Sequence, residues 1–222
     1  MSHIFSDDDN KINEEIEKPE KSIFKTVLEY VVTLAIIVAA IFVIQAFVIV
    51  NARIPSASME NTIMTGERLF GNRLAYLFGE PERYDIIIFK YPDDESQLFI
   101  KRIIGLPGET VIISGGEVYA VDCYTDTTGV SDEELIEDPM MFEDTIMLDD
   151  SFIKEPMNED EGLVFRVPDD EFFVLGDNRN NSSDSRYWDD HFVSRDEILG
   201  EALLRYWPFN KISLLGYNGD AQ

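Results

Sequence analysis

The sequence predicts a mainly β domain behind a single N-terminal membrane-spanning helix, and three observations carry that reading. One apolar run, residues 31–50, is long enough to cross a bilayer. After it comes a series of strand-length runs rich in β-branched and aromatic residues. Gly and Pro punctuate those runs at turn-like positions. With 222 residues, 45% of them hydrophobic, the chain can bury a sizeable core in one or two domains.

Residues 1–25 read as an acidic tail. Asp7, Asp8, Asp9, Glu14, Glu15, Glu17 and Glu20 stand there against Lys11 and Lys18, a composition expected to stay disordered. Residues 26–50 are the anchor. Only Thr33 and Gln45 interrupt positions 31–50, which at about 1.5 Å per residue match a hydrocarbon core of about 30 Å. A cleaved secretory leader has an apolar stretch of about 7–15 residues nearer the start, so this one reads as uncleaved. Lys18, Lys21 and Lys25 precede the span and Arg53 and Arg68 follow it, a slight bias placing the tail in the cytoplasm and the remainder outside.

Beyond the anchor, residues 51–121 form the first part of the β domain. Strands are expected over 84–89, 98–104 and 109–113, with a turn at Gly115-Gly116. Residues 69–78 fit a strand or a short helix equally. Acids crowd residues 122–171, where Lys154 and Arg166 are the only cations, and strand signals weaken except at 162–167. That stretch is expected to be an inserted acidic lobe. Residues 172–222 complete the domain, with strands over 172–175 and 199–207.

The formal net charge is -26, which argues against nucleic acid as a partner, because such binding depends on cations at phosphates. Cys123 is the only cysteine, so neither an intramolecular disulfide nor a multi-cysteine zinc site can form. The abundant acids show no calcium loop with its central Gly. No metal and no cofactor is expected. His3 lies in the tail, which leaves His191 as the sole imidazole available as a base.

A serine needs a base to become a nucleophile. Ile54-Pro55-Ser56-Ala57-Ser58-Met59 lies just after the anchor and supplies candidate serines. With histidine nearly excluded, the base is a carboxylate or a lysine kept neutral by a low-dielectric pocket. In the 98–104 run, strand alternation puts Phe99, Lys101 and Ile103 on one face and Ile100, Arg102 and Ile104 on the other. Periodicity alone does not say which cation is buried. The loop from Gly176 to Trp188, dense in Gly, Asp, Asn and Ser, follows an apolar strand, a common place for functional residues.

In this order after an anchor, these segments resemble the type I signal peptidases. The serine segment resembles the family's nucleophile box, and Lys101-Arg102-Ile103-Ile104-Gly105-Leu106-Pro107-Gly108-Glu109 its general-base box. The Gly176 loop is similar to the family's Gly-Asp-Asn box, and Tyr206-Trp207-Pro208 to its closing strand. The resemblance covers residues 25–210. It implies a β domain of antiparallel sheets and a serine endopeptidase that removes signal peptides from exported preproteins, cutting after small residues. It implies Ser58 as nucleophile, Lys101 as general base, and Ser56 with the Ser58 N–H as oxyanion hole. Ser182 matches a residue that orients the amine by a hydrogen bond. Asp177, Asp184 and Arg186 match structural supports. Ile54, Pro55, Ile63 and Ile100 match positions lining the substrate pockets. Asn180 departs from the pattern where some members have Asp.

The partners implied are preproteins and the lipid bilayer, with the protein a monomer in the cell membrane. Three other classes compete with this reading. An inactive relative serving as an assembly scaffold for surface fibres would be favoured by loss of Ser58 or Lys101, and both are present. A binding domain using the acidic stretch for a cationic partner does not exclude the peptidase. A self-cleaving repressor is disfavoured by the anchor and the acidity.

Overall fold

The computed structural model describes residues 23–158 and 162–215. The disordered tail expected over 1–25 lies outside them apart from its last residues. The chain divides into two units, one running to Ile44 and the other from Gln45 onward.

In the first unit lies most of helix α1 (Ile23–Phe47), none of whose residues is buried. At about 1.5 Å per residue it is about 37 Å long, enough to cross a bilayer. The helix begins and ends a little earlier than hydropathy suggests. The apolar run continues to Val50, but from Ile49 the burial pattern alternates with period two, and those residues belong to a strand.

The second unit is built on twelve strands among the described residues. They are β1 (Ile49–Arg53), β2 (Arg68–Asn72), β3 (Ile86–Tyr91), β4 (Asp94–Gly105), β5 (Thr110–Ser114) and β6 (Glu117–Val121). There follow β7 (Thr145–Met147), β8 (Leu163–Arg166), β9 (Glu171–Leu175), β10 (Val193–Ser194), β11 (Ile198–Trp207) and β12 (Ser213–Leu214). Short helices α2 (Ala75–Phe78) and α3 (Asp132–Glu137) lie between them. Residues 69–78, which fitted either element, supply both: most of β2 and then α2.

All the strand pairs are antiparallel. The larger sheet runs β1-β2-β11-β3-β4-β9-β10, with β12 beside β11. The smaller runs β7-β6-β5-β8. Strands β5 and β6 meet through Gly115 and Gly116, both at positive φ, the backbone that a two-residue hairpin of this twist requires. The acidic stretch 122–171 supplies β7 and β8 to this same sheet, so the sheet boundary cuts across the expected lobe boundary at 121.

Burial explains the unbroken apolar runs. Ile86 and Ile88 of β3 join one core, with Val50, Ala52, Ile54, Met59, Ile63 and Leu69. Ile87 and Phe89 join another, with Ile103, Val174 and Trp188. A strand buried on both faces loses the apolar–polar alternation that marks a half-exposed one. A third core of Val111, Ile113, Phe165, Phe173 and Leu175 joins the two sheets. It also takes in Phe152 and Met157 from the acidic stretch.

Candidate active site

Strand β4 brings two cations into the interior, on opposite faces. Lys101 is 3% exposed and Arg102 0%. The question of which cation is buried therefore has the answer that both are, each with a different partner.

Lys101 shares its face with Phe99, whose ring centroid lies 5.5 Å from Nζ. Its amine donates to the Ser58 hydroxyl at 2.8 Å. Burial pushes the Lys101 pKa down to about 8. The carboxylates of Asp184 and Asp177 pull the other way, and Arg186 adds to the lowering. Ser58 is itself 8% exposed. It stands where the chain leaves β1 and turns: the Ile63 N–H donates to the Met59 carbonyl at 2.8 Å, and the Glu60 N–H to the Ala57 carbonyl at 3.1 Å. Buried Ile54, Met59 and Ile63 hold that turn in the core. The Ser56 and Ser58 hydroxyls are 3.4 Å apart.

Arg102 pairs with Asp177 through Nε at 2.8 Å and Nη2 at 2.7 Å, both side chains fully enclosed. Thr62, on the turn after Ser58, also donates to Asp177. The carboxylate thus ties together β4, the serine turn and the loop after β9. In that loop Arg186 grips both Asp184 oxygens, Oδ1 through Nε at 2.8 Å and Oδ2 through Nη2 at 3.0 Å, and Oδ2 also accepts from the Gly176 N–H at 3.1 Å. Gly176 packs so tightly that a Cβ there would lie 2.3 Å from the Ser182 hydroxyl and 2.4 Å from the Ser58 carbonyl oxygen. No other residue fits between them.

Part of the acidic stretch braces this loop. Asp150 meets the buried Arg179 at 3.0 Å. The Lys154 N–H donates to the Asp177 carbonyl at 3.0 Å. The Asn180 amide donates to the Pro156 carbonyl at 2.9 Å, and its oxygen accepts from the Asn158 N–H at 2.8 Å. An Asp there would lose the first of these bonds. Phe152 lies under the Arg102 guanidinium, 4.1 Å from ring centroid to charge, and its carbonyl accepts from Asn61 at 2.9 Å.

A cavity of about 550 Å³ opens beside Ser58 and Lys101. One wall runs from Asn51 to Met59, the other from Leu98 to Lys101, with Ile88, Asn181 and Ser183 completing it. Among the described residues β1 pairs on one side only, and β4 pairs β9 only from Arg102 onward. Both walls therefore present backbone edges.

A family model described as "Signal peptidase, peptidase S26" matches residues 27–207. The chain belongs to this signal peptidase family. A "Probable signal peptidase I-2" from Synechocystis sp. is 37% identical over 93% of this chain and 85% of its own length. A "Signal peptidase I" from Leptolyngbya laminosa is 36% identical over 85% of this chain and 84% of its own. A crystal structure of a signal peptidase I from Enterococcus faecalis shares 31% identity, covering 55% of this chain and 97% of that one, at a TM-score of 0.33. As a family member the chain is a serine endopeptidase, and α1 is compatible with the family's membrane association.

Of the residues that the signal peptidase resemblance singles out, Ser56, Ser58, Lys101, Ile54, Pro55 and Ile100 gather at the cavity. Asp177, Asp184 and Arg186 gather in the network behind it. Two of these residues lie away from the Ser58–Lys101 contact. Ile63 is fully buried in the core under the serine turn, packed with Ile54 and Met59, and is not among the residues that line the cavity. Ser182 does not bond the Lys101 amine: its Oγ is buried against Gly176 and has no hydrogen-bond partner. The residue types alone did not reveal Asn61, Thr62, Asp150, Phe152 or Asn178. Their roles depend on contacts between segments far apart in sequence. For Asn178, its place directly after Gly176-Asp177 was the one available signal.

Proposed function

We propose that the chain removes N-terminal signal peptides from exported preproteins with a Ser58/Lys101 dyad. The observation that carries this reading is the 2.8 Å contact between a buried, pKa-lowered amine and a serine hydroxyl. Neutral Lys101 takes the Ser58 proton as Oγ attacks the scissile carbonyl. The Ser58 N–H and the Ser56 hydroxyl receive the oxyanion, the charge that such donors stabilise most. Collapse breaks the C–N bond, and the amine of the mature protein leaves with the proton from Lys101. Lys101 then deprotonates a water that hydrolyses the acyl-enzyme and restores Ser58. Ser182 has a buried, unbonded hydroxyl, which suits it to accept a hydrogen bond from the neutral amine during this cycle. Asp177, Asp184 and Arg186 keep the loop behind the amine in place.

The substrate lies in the groove as an extended strand between the two backbone edges, a common way to bind peptides. Ile54, Pro55 and Ile100 narrow the groove beside Ser58 and favour small residues before the cut. Helix α1 anchors the enzyme in the cell membrane, with the tail cytoplasmic, the catalytic unit outside and the protein acting as a monomer.

The test is cleavage of a preprotein by the detergent-solubilised full chain, wild type beside Ser58→Ala and Lys101→Ala. The expected result is a wild-type product cut after a small residue and no product from either folded variant. Equal cleavage by all three would sink the dyad.

A further inference from the structure

Asn178 is buried at the head of the loop after β9 and touches the serine turn twice. Its side-chain amide donates to the Ala57 carbonyl at 3.0 Å. Its backbone N–H donates to the Ser58 carbonyl at 3.0 Å. These carbonyls belong to the two peptide groups flanking the Ser58 Cα. The peptide that carries the Ala57 C=O also carries the Ser58 N–H. It is planar and trans, so its N–H points opposite to its C=O. Fixing the direction of one fixes the other. The amide orientation of Asn178 is itself determined, because only its NH₂ end can face a carbonyl oxygen.

We infer that Asn178 is a positioning residue of the oxyanion hole: together with the Glu60 N–H, which donates to the same carbonyl at 3.1 Å, it holds the Ala57 carbonyl toward the loop and so aims the Ser58 N–H into the groove. The inference rests on the reading of Ser58 as the nucleophile. The second bond, to the Ser58 carbonyl, stops the following peptide from rotating and undoing the first. A hydrogen bond at the Ala57 carbonyl also polarises the shared peptide and strengthens its N–H as a donor. Asn178 touches no reacting atom, and its contacts are with the serine turn rather than with Lys101. Its loss therefore acts on stabilisation of the tetrahedral state and leaves the titration of the base alone.

The experiment measures kcat, KM, the pH profile and affinity for a peptide boronate carrying the cleavage-site residues. The full chain is used in detergent, with active sites counted by titration. In Asn178→Ala, kcat per active site falls about 10- to 100-fold, approaching the loss seen when an oxyanion donor is removed outright. KM stays within about twofold. The boronate, which becomes tetrahedral on the serine, loses affinity by the same factor as kcat, and the acid limb of kcat/KM does not move. Asn178→Asp keeps the shape and the backbone bond but cannot donate from an ionised carboxylate, so it shows the same kcat loss on the alkaline plateau. This variant decides the matter if Asn178→Ala does not fold. Wild-type kcat per active site in either folded variant overturns the inference, as does a loss confined to KM or a shifted acid limb in Asn178→Ala. Ser58→Ala, run alongside, separates the two readings. If it stays active, the nucleophile assignment falls and this inference with it. If it is dead while Asn178→Ala is unimpaired, this inference alone falls.

Discussion

Lys101 can act as a base only while uncharged, and its burial makes that state accessible near neutral pH. With its pKa lowered to about 8, about a tenth of the amines are neutral at pH 7. In the free enzyme kcat/KM should therefore rise with pH and level off above about 8. The same shift has a stability consequence. The unfolded chain holds this proton up to its ordinary value of 10.5, whereas the folded chain releases it near 8. Below 8 the folded state carries a buried cation at a penalty of about 3 kcal/mol, which fades as pH rises from 8 to 10.5. Lys101→Met should abolish cleavage yet raise Tm at pH 7, by about 2 kcal/mol of stability once the lost bond to Ser58 is subtracted. That advantage should shrink toward zero by about pH 11. Thermal melts of both proteins at pH 7 and pH 10.5 check it, and a lower Tm for the variant at pH 7 would refute the burial penalty. The sequence singles out Ser58 and Lys101, the pair proposed as the dyad, because each sits in a short, ordered motif. For Ile63 and Ser182 the motif gives only the neighbours in sequence and not what the side chain touches.

The acidic residues 149–158 act as a strap rather than as a solvated surface. Asp150, Phe152, Lys154, Pro156 and Asn158 each contact the Gly176 loop or the Arg102 side chain. Charge density hid this, since the stretch reads as loop-like by composition while its few apolar residues, Phe152 and Met157, enter the core between the sheets. Helix α3 was likewise missed, although Ser131 and Glu134 form a capping box that the spacing alone allowed. Strands such as β3 and β5 were legible because they carry short runs of β-branched residues; β1 was not, because it continues the apolar run of the anchor without a break. Phe152→Ala should cost about 3–5 kcal/mol through the cavity it leaves. In a chain of this size that lowers Tm by roughly 6–20 °C. Glu143→Gln, an exposed acid of the same stretch, should stay within about 0.5 kcal/mol of wild type. If the two variants melt alike, the strap is not what holds the loop.

The whole molecule couples one apolar helix to a strongly acidic catalytic unit, and its orientation rests on a narrow margin of cations. Lys18, Lys21 and Lys25 on one side face Arg53 and Arg68 on the other. The net charge of -26 does not weigh in, because acids contribute little to membrane orientation. A peptidase acting on exported chains must have its groove on the side where their cleavage sites emerge. The sequence supplies its own reporter of that side. Cys123 is the only cysteine, and it is exposed. In intact cells producing the protein, a membrane-impermeant maleimide should label Cys123 without permeabilisation. In a Cys123→Ser background, a cysteine placed in the tail by Ser6→Cys should be labelled only after the membrane is opened. The reverse pattern would put the groove in the cytoplasm, where Ser58 could not meet a preprotein that has already crossed. The dyad would then need a substrate presented from the inner face.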